Sequence, residues 1–247
     1  LQLHNQRCAP LPIETMAVLA DWSPDGLTLW ASFQAPHHLR NYLSAWLAIS
    51  QQSCRIITPD VGGGFGNKIS WYPELFIAPL LSRWSGRPVK FTQTRSEAML
   101  QMNHGRDQKH VLDVGFNNDG KILALRMVIT ANAGAYPGPV SMGMPVMTGW
   151  MASGCYEIPH VATSHRIVVT NTTPLAAYRG AGRPEAAYSV ERIVDLVARR
   201  TEIDPVEIRK KNFPTEFPFK QTLVHTVDSG DYVAGLEKAK QMADYAG

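Results

Sequence analysis

The stretch Gly62-Gly63-Gly64-Phe65-Gly66-Asn67-Lys68 carries the most distinctive chemistry in the chain. Successive glycines let neighbouring backbone N–H groups converge on one anionic or strongly accepting ligand with no Cβ in the way. Two familiar phosphate sites are excluded by spacing. Asn67 stands where the Walker pattern needs glycine, and Lys68 is followed by Ile69 rather than Ser or Thr. No register places three glycines at the offsets of a dinucleotide fingerprint. Taken alone, the loop is equally well explained as a turn without a ligand. A second loop, Ala177-Tyr178-Arg179-Gly180-Ala181-Gly182-Arg183-Pro184-Glu185, ends where the strongest helical pattern begins. A helix N-terminus offers free N–H groups and about half a positive charge, which makes this loop a second place for an anion or oxo group. The plainer reading of Arg179 and Arg183 is two solvated surface cations.

Other site chemistries find no support. The histidines at 4, 37, 38, 104, 110, 160, 165 and 225 have no metal-ligand spacing, and no Cys-x-x-Cys occurs, so a protein-ligated zinc or iron–sulfur centre is not expected. No Gly-x-Ser-x-Gly elbow is present. Glu74, Glu97, Glu185 and Glu191 fall at or on expected helices, where capping and solvated faces explain them.

Several elements must hold the two loops. Pro36 opens a helix with Leu39, Tyr42, Leu43, Trp46 and Ile49 at helical spacing. Ile56-Ile57 leads into the first loop, and a second helix runs from Glu74 to Trp84, kinked at Pro79 and stopped near Gly86. Val89 to Thr94 and Val111 to Phe116 are expected strands, the latter turning at Asn117 to Gly120 into a strand over Ile122 to Ala131. Arg166 to Thr170 is a further strand, Pro184 to Arg200 the clearest helix, Asp204-Pro205 a short helix start, and Asp231 to Ala243 a weaker one. From Met127 to Tyr156 no residue is charged, but Gly134, Pro137, Gly138, Pro139, Gly143, Pro145 and Gly149 exclude a transmembrane helix there and predict a looped, Met-rich wall of a pocket or interface.

Composition sets the outer limits. The 247 residues are 45% hydrophobic and 18% charged, which excludes disorder and leaves a sizeable core. With 24 Lys+Arg against 21 Asp+Glu and no basic block, charge implies neither a nucleic acid nor a membrane partner. Cys8, Cys54 and Cys155 are odd in number and far apart, which favours a reducing, cytoplasmic setting.

The order Phe33-Gln34 before a helix, then Gly62 to Lys68, then Ala177 to Glu185, resembles the large subunit of the molybdenum hydroxylases, the family of xanthine dehydrogenase, aldehyde oxidoreductase and carbon monoxide dehydrogenase. The likeness begins at Asn5-Gln6-Arg7 with Glu14 and runs through Arg95-Ser96-Glu97 to Lys211-Asn212-Phe213. It implies an α+β fold of mixed sheets with helices packed on one side, and a molybdenum-pyranopterin cofactor, as molybdopterin or its cytosine dinucleotide form, without direct protein ligands to the metal. By this resemblance Gln34 and Arg179 are catalytic. Gln34 would hydrogen-bond the apical oxygen ligand, Gly63, Gly64, Phe65 and Gly66 would face the metal oxygens and pterin, and Arg179, Gly180 and Gly182 would approach from the other side. The blander reading of Gln34 is a surface residue at a strand end. Phe65 and Ala181 would line the substrate.

The implied reaction hydroxylates an electron-poor carbon of an aldehyde or N-heterocycle with water, and electrons pass to iron–sulfur and FAD partner subunits or domains. Gly180 stands where the family's carbon monoxide oxidisers carry cysteine, and Ile69 where its purine oxidisers carry glutamate; Ala181 replaces an aromatic residue. The family's catalytic glutamate is not in this chain, nor are its hammerhead and second cofactor domain. Residues 1–247 are therefore expected to be the first cofactor-binding domain of a larger subunit, incomplete and inactive alone, that needs the second half of the subunit and a small-molecule substrate. Competing readings are a non-catalytic assembly or binding module, a carbon monoxide dehydrogenase-like large chain, and an unrelated nucleotide-binding protein.

Overall fold

A computed structural model describes residues 1–245. The chain opens with β1 (Gln2–Asn5), later used as a sheet edge. Strands β2 (Ala17–Ser23) and β3 (Gly26–Ala31) form an antiparallel hairpin across Pro24-Asp25, with Val18 opposite Ala31 and Ala20 opposite Leu29. Helix α1 (Pro36–Leu47) follows, then β4 (Cys54–Ile57) parallel to β3, helix α2 (Glu74–Ser85), and β5 (Val89–Thr92) antiparallel to β2. The resulting order is β4-β3-β2-β5. Every second residue of the hairpin, Val18, Ala20, Leu27 and Leu29, joins Leu39, Leu43, Leu75 and Ala78 of the two helices in one core. Leu39, Leu43 and Leu47 recur at four-residue spacing, which explains why α1 docks on this face. Tyr42 and Trp46, expected on the same stripe, lie instead on its exposed flank, and Ile49 falls beyond the helix. Helix α2 keeps Pro79 inside it and ends at Gly86, whose φ of 63° suits glycine.

A short helix, α3 (Arg95–Gln101), is capped by Thr94 and Glu97 in a reciprocal box. The second sheet has the order β1-β6-β7-β8, built from β6 (Gln108–Phe116), β7 (Ile122–Gly134) and β8 (His160–Val169). Strands β6 and β7 are antiparallel through the expected turn, while β8 runs parallel to β7. The crossover between them is helix α4 (Pro139–Trp150). Here the structure corrects the expectation of a looped wall over 127–156: residues 127–134 complete β7, and 139–150 are helical. Proline is tolerated in a first helical turn, and Pro145 forfeits the bond to the Ser141 carbonyl in a helix held by packing on β7, β8 and α5 (Arg183–Thr201).

Helix α5 lays Ala186, Val190, Ile193, Val194 and Val197 on Leu112, Ile129 and Met127 of the sheet. Helix α6 (Pro205–Asn212) starts at Asp204, whose carboxylate accepts the N–H groups of Val206 at 2.7 Å and Glu207 at 3.3 Å. Two short strands, β9 (Phe219–Lys220) and β10 (Thr226–Val227), and helix α7 (Tyr232–Met242) complete the fold. Helices α1 and α2 cover one face of the first sheet, and α4 and α5 one face of the second. No helix among the described residues is long and apolar enough to cross a membrane.

Candidate functional site

The two glycine loops meet at the seam between the sheets. The first leaves β4, and the second leads into α5. The Arg179 N–H donates to the Phe65 carbonyl at 3.0 Å. A Cβ on Gly66, whose φ is 91°, would lie 2.5 Å from the Ala177 carbonyl oxygen. Only glycine allows this approach.

Gln34 follows β3 and faces the first loop. Its Oε1 accepts the N–H of Gly66 at 3.0 Å and that of Lys68 at 3.1 Å. Two backbone donors on one atom fix that atom as the amide oxygen. The Nε2 group is thereby turned away as a donor, and it meets no acceptor among the described residues. Gly64 sits against this amide, and a Cβ there would lie 2.4 Å from Oε1. The Gly66 N–H, expected to face a ligand, is used by Gln34. The N–H groups of Gly64 and Phe65 remain, together with those of Gly180 and Gly182, with no partner among the described residues. Phe65 is exposed and held at φ 55°, and Ala181 at φ 44°. Gly63 also lies in the left-handed region at φ 96°.

Buried ion pairs brace both loops, and reasoning from sequence missed their roles. Lys68 is 0% exposed along its side chain and donates to Glu14 Oε2 at 2.6 Å and Ser32 Oγ at 2.8 Å. The same carboxylate oxygen accepts the Ser32 hydroxyl at 2.6 Å and the Gly62 N–H at 2.7 Å. Burial pushes the Glu14 carboxyl up, but Lys68, Ser32 and the Gly62 N–H outweigh it, and its pKa falls below the ordinary value. The available signal was a lysine inside a tight apolar segment, since a buried ammonium requires a carboxylate.

Around the second loop, Arg106 donates to the carbonyls of Tyr178 at 3.0 Å and Arg179 at 2.7 Å and pairs with Glu185 at 3.2 Å. Glu185 is 1% exposed, so its expected place on a solvated or capping face is corrected. The Arg179 guanidinium is exposed and makes no hydrogen bond among the described residues, whereas Arg183 reaches only the Ala181 carbonyl at 3.3 Å. The flanking motifs are struts. Arg7 ties Asp107 to Thr172 and Thr173, Arg95 holds the carbonyls of Pro12 and Ile13, and Asn212 pins the β6–β7 turn through Gly120 and Ile122.

This cradle offers backbone and amide N–H donors, with the exposed Arg179 guanidinium beside them, and no metal ligands: among the described residues no His, Cys, Asp and Glu cluster is placed to hold an ion. It fits a cofactor that brings its own metal ligands and presents oxygen acceptors to N–H groups.

The sequence pattern of the molybdopterin cofactor-binding domain family matches residues 1–213. The chain is 32% identical over 247 residues to the nicotine 6-hydroxylase large subunit of Paenarthrobacter nicotinovorans, covering 98% of this chain and 30% of that protein. It is 36% identical over 250 residues to the carbon monoxide dehydrogenase large chain of Hydrogenophaga pseudoflava, covering 98% and 31%. The fold superposes on quinoline 2-oxidoreductase from Pseudomonas putida 86 with a TM-score of 0.94 at 32% identity, over all of this chain and 32% of the other. The chain thus spans about a third or less of the length of these relatives. With the cradle and the family pattern falling on the same loops, the chain belongs to the molybdopterin cofactor-binding domain family of the molybdenum hydroxylases.

Proposed function

We propose that this chain is the first cofactor-binding domain of a molybdenum hydroxylase large subunit, over residues 1–247, and forms one wall of the molybdopterin site. The observation that carries the reading is the Gln34 amide, whose oxygen is tied to Gly66 and Lys68 so that its N–H₂ group is free to donate. Gln34 would hold an oxygen ligand of the metal, the Gly64 and Phe65 N–H groups the adjoining acceptors, and Arg179, Gly180 and Gly182 the opposite edge of the cofactor. Gly63 and Gly66 shape the loop, and Phe65 and Ala181 bound the substrate side. When bound, the molybdenum-pyranopterin supplies two-electron oxidation of a carbon centre with water as the oxygen source.

The resemblance puts the family's general base, a glutamate, in the second half of the large subunit, outside these residues. Such a base is worth roughly a hundred- to ten-thousand-fold in rate, which makes this chain inactive alone. Its partners are the remainder of the large subunit and carriers of iron–sulfur clusters and FAD. The substrate class is an aldehyde or N-heterocycle; Gly180 speaks against carbon monoxide, where the resemblance requires cysteine. Three free cysteines support a cytoplasmic site of action. Co-expression with a chain supplying the rest of the subunit, followed by molybdenum and pterin assay, tests this. The expected result is both in equal amounts, reduced by Gln34→Ala. Purified complex with neither would refute it.

A further inference from the structure

A cavity of about 380 Å³ lies among one flank of α5, the segment that follows α4, the hairpin of β9 and β10, and the start of α7. Ala187 and Val190 of α5, with Met151, Val227 and Tyr232, make its lining mainly apolar. None of Gln34, Phe65 and Arg179 lines it. The volume falls near the lower end of the range of about 300–1,000 Å³ for small-molecule sites, and so suits a single ring or a short chain.

The polar groups of the lining divide by whether they are already engaged. Glu191 accepts the Tyr156 hydroxyl at 2.8 Å and the Arg209 guanidinium at 2.7 and 3.0 Å, which matches its charge. Gln221 is 6% exposed and donates its Nε2 to the Gly154 carbonyl. Tyr232 packs its ring on Phe213, with centroids 5.4 Å apart. Burial, and after it the Glu191 charge, pushes the Cys155 thiol up to about 11, so at neutral pH it stays protonated and serves neither as nucleophile nor as metal ligand. Two groups are left over. The His225 Nε2 is buried and meets no hydrogen-bond partner among the described residues. Arg183 is exposed, and its guanidinium bonds only the Ala181 carbonyl, at 3.3 Å.

We propose that this cavity binds a small monocarboxylate with an apolar body, whose carboxylate takes the N–H groups of Arg183 and His225 while the body rests on Met151, Val190 and Val227. A buried ring N–H without a partner is costly, and a carboxylate oxygen satisfies it through a charge-assisted hydrogen bond. The planar guanidinium fork matches the same group. A ligand cation would meet Arg183 with like charge, and the one carboxylate present, Glu191, is already bonded to Arg209. The proposal does not rest on the hydroxylase reading, because binding here needs no cofactor and no residue of the Gln34 cradle.

Ligand-observed NMR titration of the protein carrying this chain would compare phenylacetate with its neutral counterpart, 2-phenylacetamide. Phenylacetate is expected to bind with a Kd of about 1 mM or below, and roughly fivefold or more tightly than the amide. Arg183→Gln should remove that preference, and His225→Leu should weaken phenylacetate about fivefold, the loss of one hydrogen bond in a buried site. Ala187→Trp, at an exposed position of α5, should fill the cavity and abolish binding. Circular dichroism and thermal melts confirm folding of each variant. Equal or tighter binding of the amide, phenylacetate affinity untouched by any one of the three variants, or no phenylacetate binding at about 10 mM would overturn the proposal.

Discussion

Replacing Lys68 by methionine isolates the brace under the first glycine loop. Methionine fills nearly the same volume but removes the ammonium that bonds Glu14 at 2.6 Å and Ser32 at 2.8 Å. The Glu14 carboxylate keeps only the Ser32 hydroxyl and the Gly62 N–H. Breaking a fully buried pair from one side costs about 3–5 kcal/mol. The Glu14 side chain is 34% exposed, so water reaches the stranded carboxylate and lowers the cost to roughly 2–3 kcal/mol. Urea denaturation at pH 7 reads this directly. Adding Glu14→Gln to Lys68→Met should recover part of the loss, because glutamine still accepts from Gly62 and strands no charge.

The sign with pH follows from the lowered Glu14 pKa. Its stabilisation is present above the ordinary carboxylate value of 4.5 and is lost as pH falls through the lowered one, so the gap between wild type and Lys68→Met should close in acid. A Lys68→Met penalty under about 0.5 kcal/mol, or a double variant no more stable than the single one, would refute the bracing role.

Gly66→Ala should cost roughly 2–4 kcal/mol, from a φ of 91° and a Cβ 2.5 Å from a backbone carbonyl, whereas Gly86→Ala, with φ 63° and open space, should cost about 1 kcal/mol. Thermal melts compare the two, and equal losses would mean the loops are not in the contact described. Burial holds His110 down at about 4, with Ser189 at 2.6 Å and Gln108 at 3.0 Å from its ring nitrogens. The unfolded chain therefore binds the extra proton first, and stability should fall by roughly 3 kcal/mol as pH drops from 6.5 to 4; a His110→Gln variant with the same pH slope would contradict this.

Much of the scaffold is legible in the sequence because its signals are local. The Asn117 to Gly120 turn, the stripe expected from Ala187, Val190, Val194 and Val197, of which Ala187 lies exposed and the three valines are buried, and Asp204 before Pro205 each specify an element within a few residues. The hairpin Ala17–Ala31 is equally marked by Pro24-Asp25-Gly26 between alternating apolar residues. Helix α4 was obscured because its prolines and glycines oppose helix locally, and packing against a sheet overrides them.

At the site, the loops themselves could be found from composition, but what fixes them could not. Glu14 and Lys68 are 54 positions apart, and Arg106 and Glu185 are 79 apart. No periodicity links such pairs. The same distance hides the orientation of the Gln34 amide, which is decided by two N–H groups more than thirty residues downstream.

Anomalous diffraction at the molybdenum absorption edge, from crystals of the cofactor-loaded protein, addresses the central claim most directly. A single peak in the cleft bounded by the Gln34 amide, Phe65 and Arg179 is the predicted result. A peak elsewhere, or a metal bonded directly to side chains of this chain, would contradict it.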